Sequence, residues 1–85
     1  MIITWDHAKR LANLDKHGLD FADLNVEFFL NSLIVPARGQ RLKAIGRLEP
    51  EVMIAVVFAP LGAEAISVVS MRVASRKERN MFHGD

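Results

Sequence analysis

Seven consecutive residues, Val52-Met53-Ile54-Ala55-Val56-Val57-Phe58, are apolar. A run this short and this rich in β-branched side chains reads as a strand. A strand apolar at every position must be covered on both faces. Turn-forming residues bracket it, Glu49-Pro50-Glu51 before and Pro60-Leu61-Gly62 after. Both neighbours are strand-like. Arg41 to Leu48 places Arg41, Lys43 and Arg47 on one face and Leu42, Ala44 and Leu48 on the other, with Ile45 interrupting the polar row. Ala65 to Arg72 follows the second turn. Turns this short favour a meander with 52–58 at its centre. The two outer strands then run the same way, and Arg47 and Arg72 reach the same end of the sheet, roughly 10 Å apart at two strand spacings.

The remaining segments complete one α+β domain over residues 1–85. Ile2 to Trp5 is a short first strand. Asp6 is a good N-cap for a helix from His7 to His17, whose apolar face is Ala8, Leu11, Ala12 and Leu14. Gly18 ends that helix in the position that favours a left-handed residue. Asp20 caps a second helix reaching to about Leu30, apolar over so much of its circumference that sheet is expected on one side and either the first helix or a partner on the other. Leu33-Ile34-Val35 is a brief strand stopped by Pro36. A final helix runs from Ser75 to about His83. The order is β-α-α-β-β-β-β-α with a mostly antiparallel sheet.

Composition removes several classes of function. The chain has no cysteine, so disulfides, thiolate nucleophiles and Cys-based zinc sites are out, which suits a reducing cytoplasm. The three histidines show no metal-ligand spacing, and neither a metal nor a cofactor is expected. Charged residues follow Trp5 at once, which is not a signal peptide, and the longest apolar run, from Val52 to Pro60, is far too short to span a bilayer. The charge is uneven: residues 1–36 sum to −2 and residues 37–85 to +3. A basic second half is compatible with an anionic partner such as nucleic acid.

That charge is concentrated in Ser70-Met71-Arg72-Val73-Ala74-Ser75-Arg76-Lys77-Glu78-Arg79, which holds four cations within eight residues. Ser75 and Glu78 form the S-x-x-E pattern of a capping box. Arg76 and Lys77 then occupy the first helical turn, where the macrodipole disfavours each by roughly 0.3 kcal/mol or more. Positive charge kept at such a position points to a cation site.

Several pieces resemble the BrnT toxins of bacterial type II toxin–antitoxin systems. They are Trp5-Asp6-x-x-Lys9, Asn13-x-x-Lys16-His17-Gly18 with Phe21, Arg41-x-x-Ala44-Ile45-Gly46, and Ser70-x-Arg72-x-Ala74-Ser75-Arg76-Lys77-Glu78-Arg79. The resemblance covers almost the whole chain in order. It implies a RelE-like ribonuclease fold, RNA cleavage that inhibits translation, and a BrnA-type ribbon-helix-helix antitoxin through whose complex alone operator DNA is bound.

Cleavage of RNA by its own 2′-OH needs charge stabilisation on the phosphate and two proton transfers. Converging arginines suit the first task, and Arg47, Arg72 and Arg76 are the candidates. Arginine does not deprotonate in proteins, so the base lies elsewhere. His7, His17, His83, Lys16 and the carboxylates are available; Lys16 and His17 are favoured because the resemblance includes them. Arg41, Lys43, Lys77 and Arg79 are candidate RNA-binding residues. Capping alone accounts for Asp6, and it equally explains Glu78. His17 at a helix C-terminus is also a natural cap. Trp5 and Phe82 read more readily as core than as base-stacking platforms. The alternative function is a non-catalytic RNA- or protein-binding module on the same fold.

Overall fold

The computed structural model describes residues 1–84. Five strands, β1 (Ile2–Trp5), β2 (Leu33–Pro36), β3 (Leu42–Glu49), β4 (Val52–Leu61) and β5 (Ala65–Val73), form one sheet in the order β1-β5-β4-β3-β2. The β3-β4-β5 meander is as expected, with β4 at the centre. The sheet is mixed, however, because β1 pairs parallel with β5, Ile2 opposite Ala65 through Trp5 opposite Val68. The helices are α1 (His7–His17), α2 (Val26–Leu30) and α3 (Arg76–His83).

The two faces of the sheet carry separate cores. On one face Ala44, Ile54, Val56, Phe58, Ile66, Val68 and Met71 pack against Phe21, Leu24, Phe28 and Phe29, with Trp5 edge-on to Phe21. On the other face a smaller cluster of Ile45, Met53 and Ala74 is covered by Phe82 of α3. Burial on both sides explains the unbroken apolar run Met53–Val56 in the middle of β4. Phe82 and Trp5 therefore act in packing, as the sequence favours. Gly46 sits at a close approach: a Cβ there would stand 3.1 Å from Ser32 Cβ and 3.2 Å from Phe28 Cε1.

Two helical expectations are corrected. The segment from Asp20 to Leu30 is not one helix. Asp20 accepts from Ala22 N and caps only a single 3₁₀ turn, Phe21–Asp23; Leu24 is extended; Asn25 then accepts from Phe28 N and starts the five-residue α2. Short polar side chains that bond the local backbone compete with a continuous helix here. Nor is α2 covered all round, since Leu30 is exposed.

The second correction concerns α1. Leu11 and Leu14 are exposed, and the residue that α1 buries is Asn13. Strand β1 covers the outer edge of β5 only as far as Val68, which leaves Met71 bare on that side. Asn13 takes the place of a strand: Met71 N donates to Asn13 Oδ1 (3.0 Å), and Asn13 Nδ2 donates to Met71 O (2.9 Å) and to Leu19 O (3.1 Å). A buried strand edge needs partners more than a helix needs its two leucines covered.

β5 carries a bulge. Phe58 lies opposite Val68 and Val57 opposite Ser70, so Val69 is the extra residue. Strict alternation would put Ser70 and Arg72 on the face of Ile66 and Val68. The bulge instead sends Met71 into that core and turns Ser70 and Arg72 to the face of α3.

Candidate functional site

Arg72 lies in the row of Ala55 and Ile45. Lys43, two residues along β3 from Ile45, lies on the same face. Between them and α3 stands Glu78, 5% exposed. Its Oε1 accepts from Arg72 Nη1 (2.7 Å) and from Ser75 N (2.9 Å); its Oε2 accepts from Arg72 Nη2 (2.8 Å) and from Lys43 Nζ (2.9 Å). The predicted capping box is complete, with Glu78 N donating to Ser75 Oγ. The fork of Arg72 above all, then Ser75 N and Lys43, holds the Glu78 carboxyl well below the usual carboxylate range, and Glu78 in turn raises the Arg72 guanidinium. Glu78 is thus an anion engaged by four donors.

An open cavity of about 590 Å³ lies beside this network, lined by Arg38, Arg41, Lys43, Ser70 and Arg72 over Val57 and Val69. Four cations against one engaged carboxylate leave it strongly positive. Arg38, in the turn after β2, was missed by sequence reasoning; its only sequence signal is a cation beside Gly39 in a loop.

A second, smaller groove of about 240 Å³ is lined by Lys9, Ala12, Asn13, Lys16 and His17 of α1, and again by Val69 and Ser70. The two hollows thus share the bulge of β5 as a common wall. The Lys16-His17-Gly18 turn is held by Gly18 in the left-handed conformation (φ 70°) and by the forked pair of Arg10 with Asp20, at 2.7 and 2.9 Å. That pair, with Ala22 N, lowers the Asp20 carboxyl to about 2.

The structure does not bring Arg47 together with Arg72. Arg47 sits level with Met53, two rows beyond the Ile45–Ala55–Arg72 row. It donates to Pro50 O (2.8 Å) and shares a separate cavity with Arg79 and His83 of α3. The convergence of Arg47, Arg72 and Arg76 is therefore corrected to a pairing of Arg72 with Lys43. Arg76 and Lys77 are exposed on the first turn of α3, and Arg79 is anchored to Ala74 O (3.1 Å). Among the described residues no group of three His, Cys, Asp or Glu could hold a metal, and no helix is long and apolar enough to cross a membrane.

The fold defines a small α+β protein with a cation-lined hollow over one face of its sheet. The family described as "Ribonuclease toxin, BrnT, of type II toxin-antitoxin system" matches residues 5–78, and the chain belongs to that family. The crystal structure of the Brucella abortus ribonuclease toxin BrnT, at 1.1 Å resolution, is 54% identical in sequence and superimposes with a TM-score of 0.84, over 89% of this chain and 99% of that one. No curated protein gives a significant match. Membership of a type II family implies a protein antitoxin as partner.

Proposed function

We propose that this chain is a metal-independent endoribonuclease of RelE-like type that cuts messenger RNA in the cytoplasm, inhibits translation, and is neutralised by a BrnA-type ribbon-helix-helix antitoxin. Operator DNA is bound only through the antitoxin complex. The observation that carries the reading is the shared wall of Val69 and Ser70, which makes the cationic cavity and the Lys16–His17 groove neighbours. An RNA strand crossing the bulge presents its phosphate to Arg72, Lys43, Arg41 and Arg38. These donors stabilise the charge that develops on phosphorus as the 2′-oxygen attacks and the 5′-oxygen leaves. Lys16 and His17 serve the two proton transfers, one removing the 2′-OH proton and one supplying the leaving oxygen, work worth roughly 10²–10⁴ in rate. Arg76, Lys77, Arg47 and Arg79 hold the flanking strand.

Induced expression tests the proposal. Growth arrest with cleaved messenger RNA is expected, abolished in folded Arg72→Ala and His17→Ala variants and relieved by the ribbon-helix-helix protein encoded beside the gene. Salt-dependent RNA binding with RNA intact after long incubation would instead mark a binding module. Full toxicity of both variants would sink the site assignment.

A further inference from the structure

A capping box needs one carboxylate oxygen for Ser75 N and nothing more. Glu78 does more: both of its oxygens are shared with cations, and it is almost wholly shielded from water. Shielding this carboxylate carries a desolvation cost that an exposed cap would avoid, while the Arg72 and Lys43 side chains stay 40% and 26% exposed. The result is a fixed spatial relation between two cations on different strands. Left free, a lysine and an arginine each sample many rotamers, and ordering them on a ligand costs entropy. Here that order exists beforehand. The network also leaves donors unused. Among the described residues, Lys43 keeps two N–H groups, and Arg72 its Nε–H and one Nη2–H, without a protein acceptor. Both side chains line the cavity.

We propose that Glu78 is a positioning residue, locking Arg72 and Lys43 side by side so that their remaining donors meet a single RNA phosphate in the geometry of the reaction. The proposal rests on the ribonuclease reading above. It separates orientation from charge. Glu78 subtracts from the positive potential of the cavity, so its loss strengthens simple attraction of RNA while disordering the donors that act on the transition state.

The test compares the full chain with its Glu78→Gln, Arg72→Lys and Ser75→Ala variants. The readouts are melting temperature, binding of a 2′-deoxy oligonucleotide that cannot be cut by 2′-OH attack, and single-turnover cleavage of the matching RNA at saturation. Glu78→Gln is expected to bind as tightly as wild type or more tightly, with a steeper salt dependence, yet to cleave at least ~10-fold more slowly. Arg72→Lys, which keeps the charge but loses the fork, follows it. Ser75→Ala removes the acceptor for Glu78 N but keeps every donor to the Glu78 carboxylate, so it lowers the melting temperature and slows cleavage far less than Glu78→Gln. Wild-type cleavage by Glu78→Gln, or a loss confined to binding, overturns the proposal. A wild-type chain that binds but never cuts overturns the ribonuclease reading instead. The positioning claim then stands or falls on the Arg72 Nε–H NMR signal, which must shift with the oligonucleotide in wild type and collapse to an exposed-arginine position in Glu78→Gln.

Discussion

Replacing Asn13 with alanine removes one side chain from a helix and three hydrogen bonds from the molecule. Two of them close the bare outer edge of β5 at Met71, and the third holds Leu19 O. At about 1 kcal/mol net for each bond the loss is ~3 kcal/mol. Leaving Met71 N–H and C=O in a buried position without partners adds to this unless water enters, while the higher helix propensity of alanine returns ~0.5 kcal/mol. A loss of about 2–4 kcal/mol is expected, which for a domain of this size lowers Tm by roughly 10–25 °C. Asn13→Asp keeps the acceptor for Met71 N but presents an oxygen to Met71 O, so at neutral pH it should cost at least as much as alanine. Urea denaturation with hydrogen exchange at the Met71 amide measures both effects. Exchange at Met71 should speed up by more than at Val56, in the middle of β4. A loss below about 1 kcal/mol, with Met71 still protected, would show that Asn13 is not the closing element of β5.

Other perturbations follow from the same contacts. Leu11→Ser and Leu14→Ser, on residues that are 50% and 39% exposed, should each change stability by about 0.5 kcal/mol or less, as read from urea midpoints. Gly46→Ala should destabilise by ~1–3 kcal/mol, because the new methyl meets Ser32 and Phe28; thermal unfolding will show it. Folded-state pKa values of Glu78 and Asp20 lie below their ordinary 4.5 and 3.8. The unfolded chain therefore binds more protons there, so the stability these groups contribute is complete above pH ~5 and is lost as pH falls through 4 and below. Urea midpoints from pH 7 to pH 3 should fall only in that lower range, and less steeply in Glu78→Gln. Arg72→Ala should reduce RNA cleavage roughly 10²-fold or more, and Arg47→Ala much less, since Arg47 lines a different cavity.

The central strand, the meander, the first and last helices and both caps of α1 are legible in the sequence because local chemistry decides them. Seven apolar residues between turns leave one reading for β4, and Ser75 with Glu78 writes its own helix start. What was hidden depends on contacts between distant segments. Nothing in His7–His17 says that Asn13 faces inward until the edge of β5 is seen to lack a strand. Asp20 reads as the cap of one helix reaching to Leu30, and no sequence pattern tells that Asn25 is the residue that starts α2. The cation stretch around Arg72 was visible, but its organiser was not. Glu78 looks complete as a capping residue, and only the fold brings Lys43, 35 positions away, onto its second oxygen.

The bulge offers a sharper check on how the site is aimed. Val68 and Ser70 lie opposite the adjacent residues Phe58 and Val57, so Val69 adds length to β5 without adding a row to the ladder. Removing Val69 joins two halves that are already in step with β4. Ile66, Val68 and Met71 keep the core face, Ser70 and Arg72 keep the α3 face, and Asn13 keeps Met71. The deletion should therefore fold, losing about 1–2 kcal/mol with the half-buried side chain, and the Arg72–Glu78 pair should persist. Removing Met71 instead advances Arg72 into the row of Val56, on the core face, among Phe21, Val68 and Ile54. Burying that charge without a partner costs more than a domain of this size has in reserve, so this chain should not fold. Circular dichroism and a urea midpoint separate the two. If the Val69 deletion unfolds as the Met71 deletion does, the bulge is not what turns Arg72 toward Glu78. If it folds, cleavage should still fall, because Val69 is part of the wall on which the cationic cavity and the Lys16–His17 groove meet.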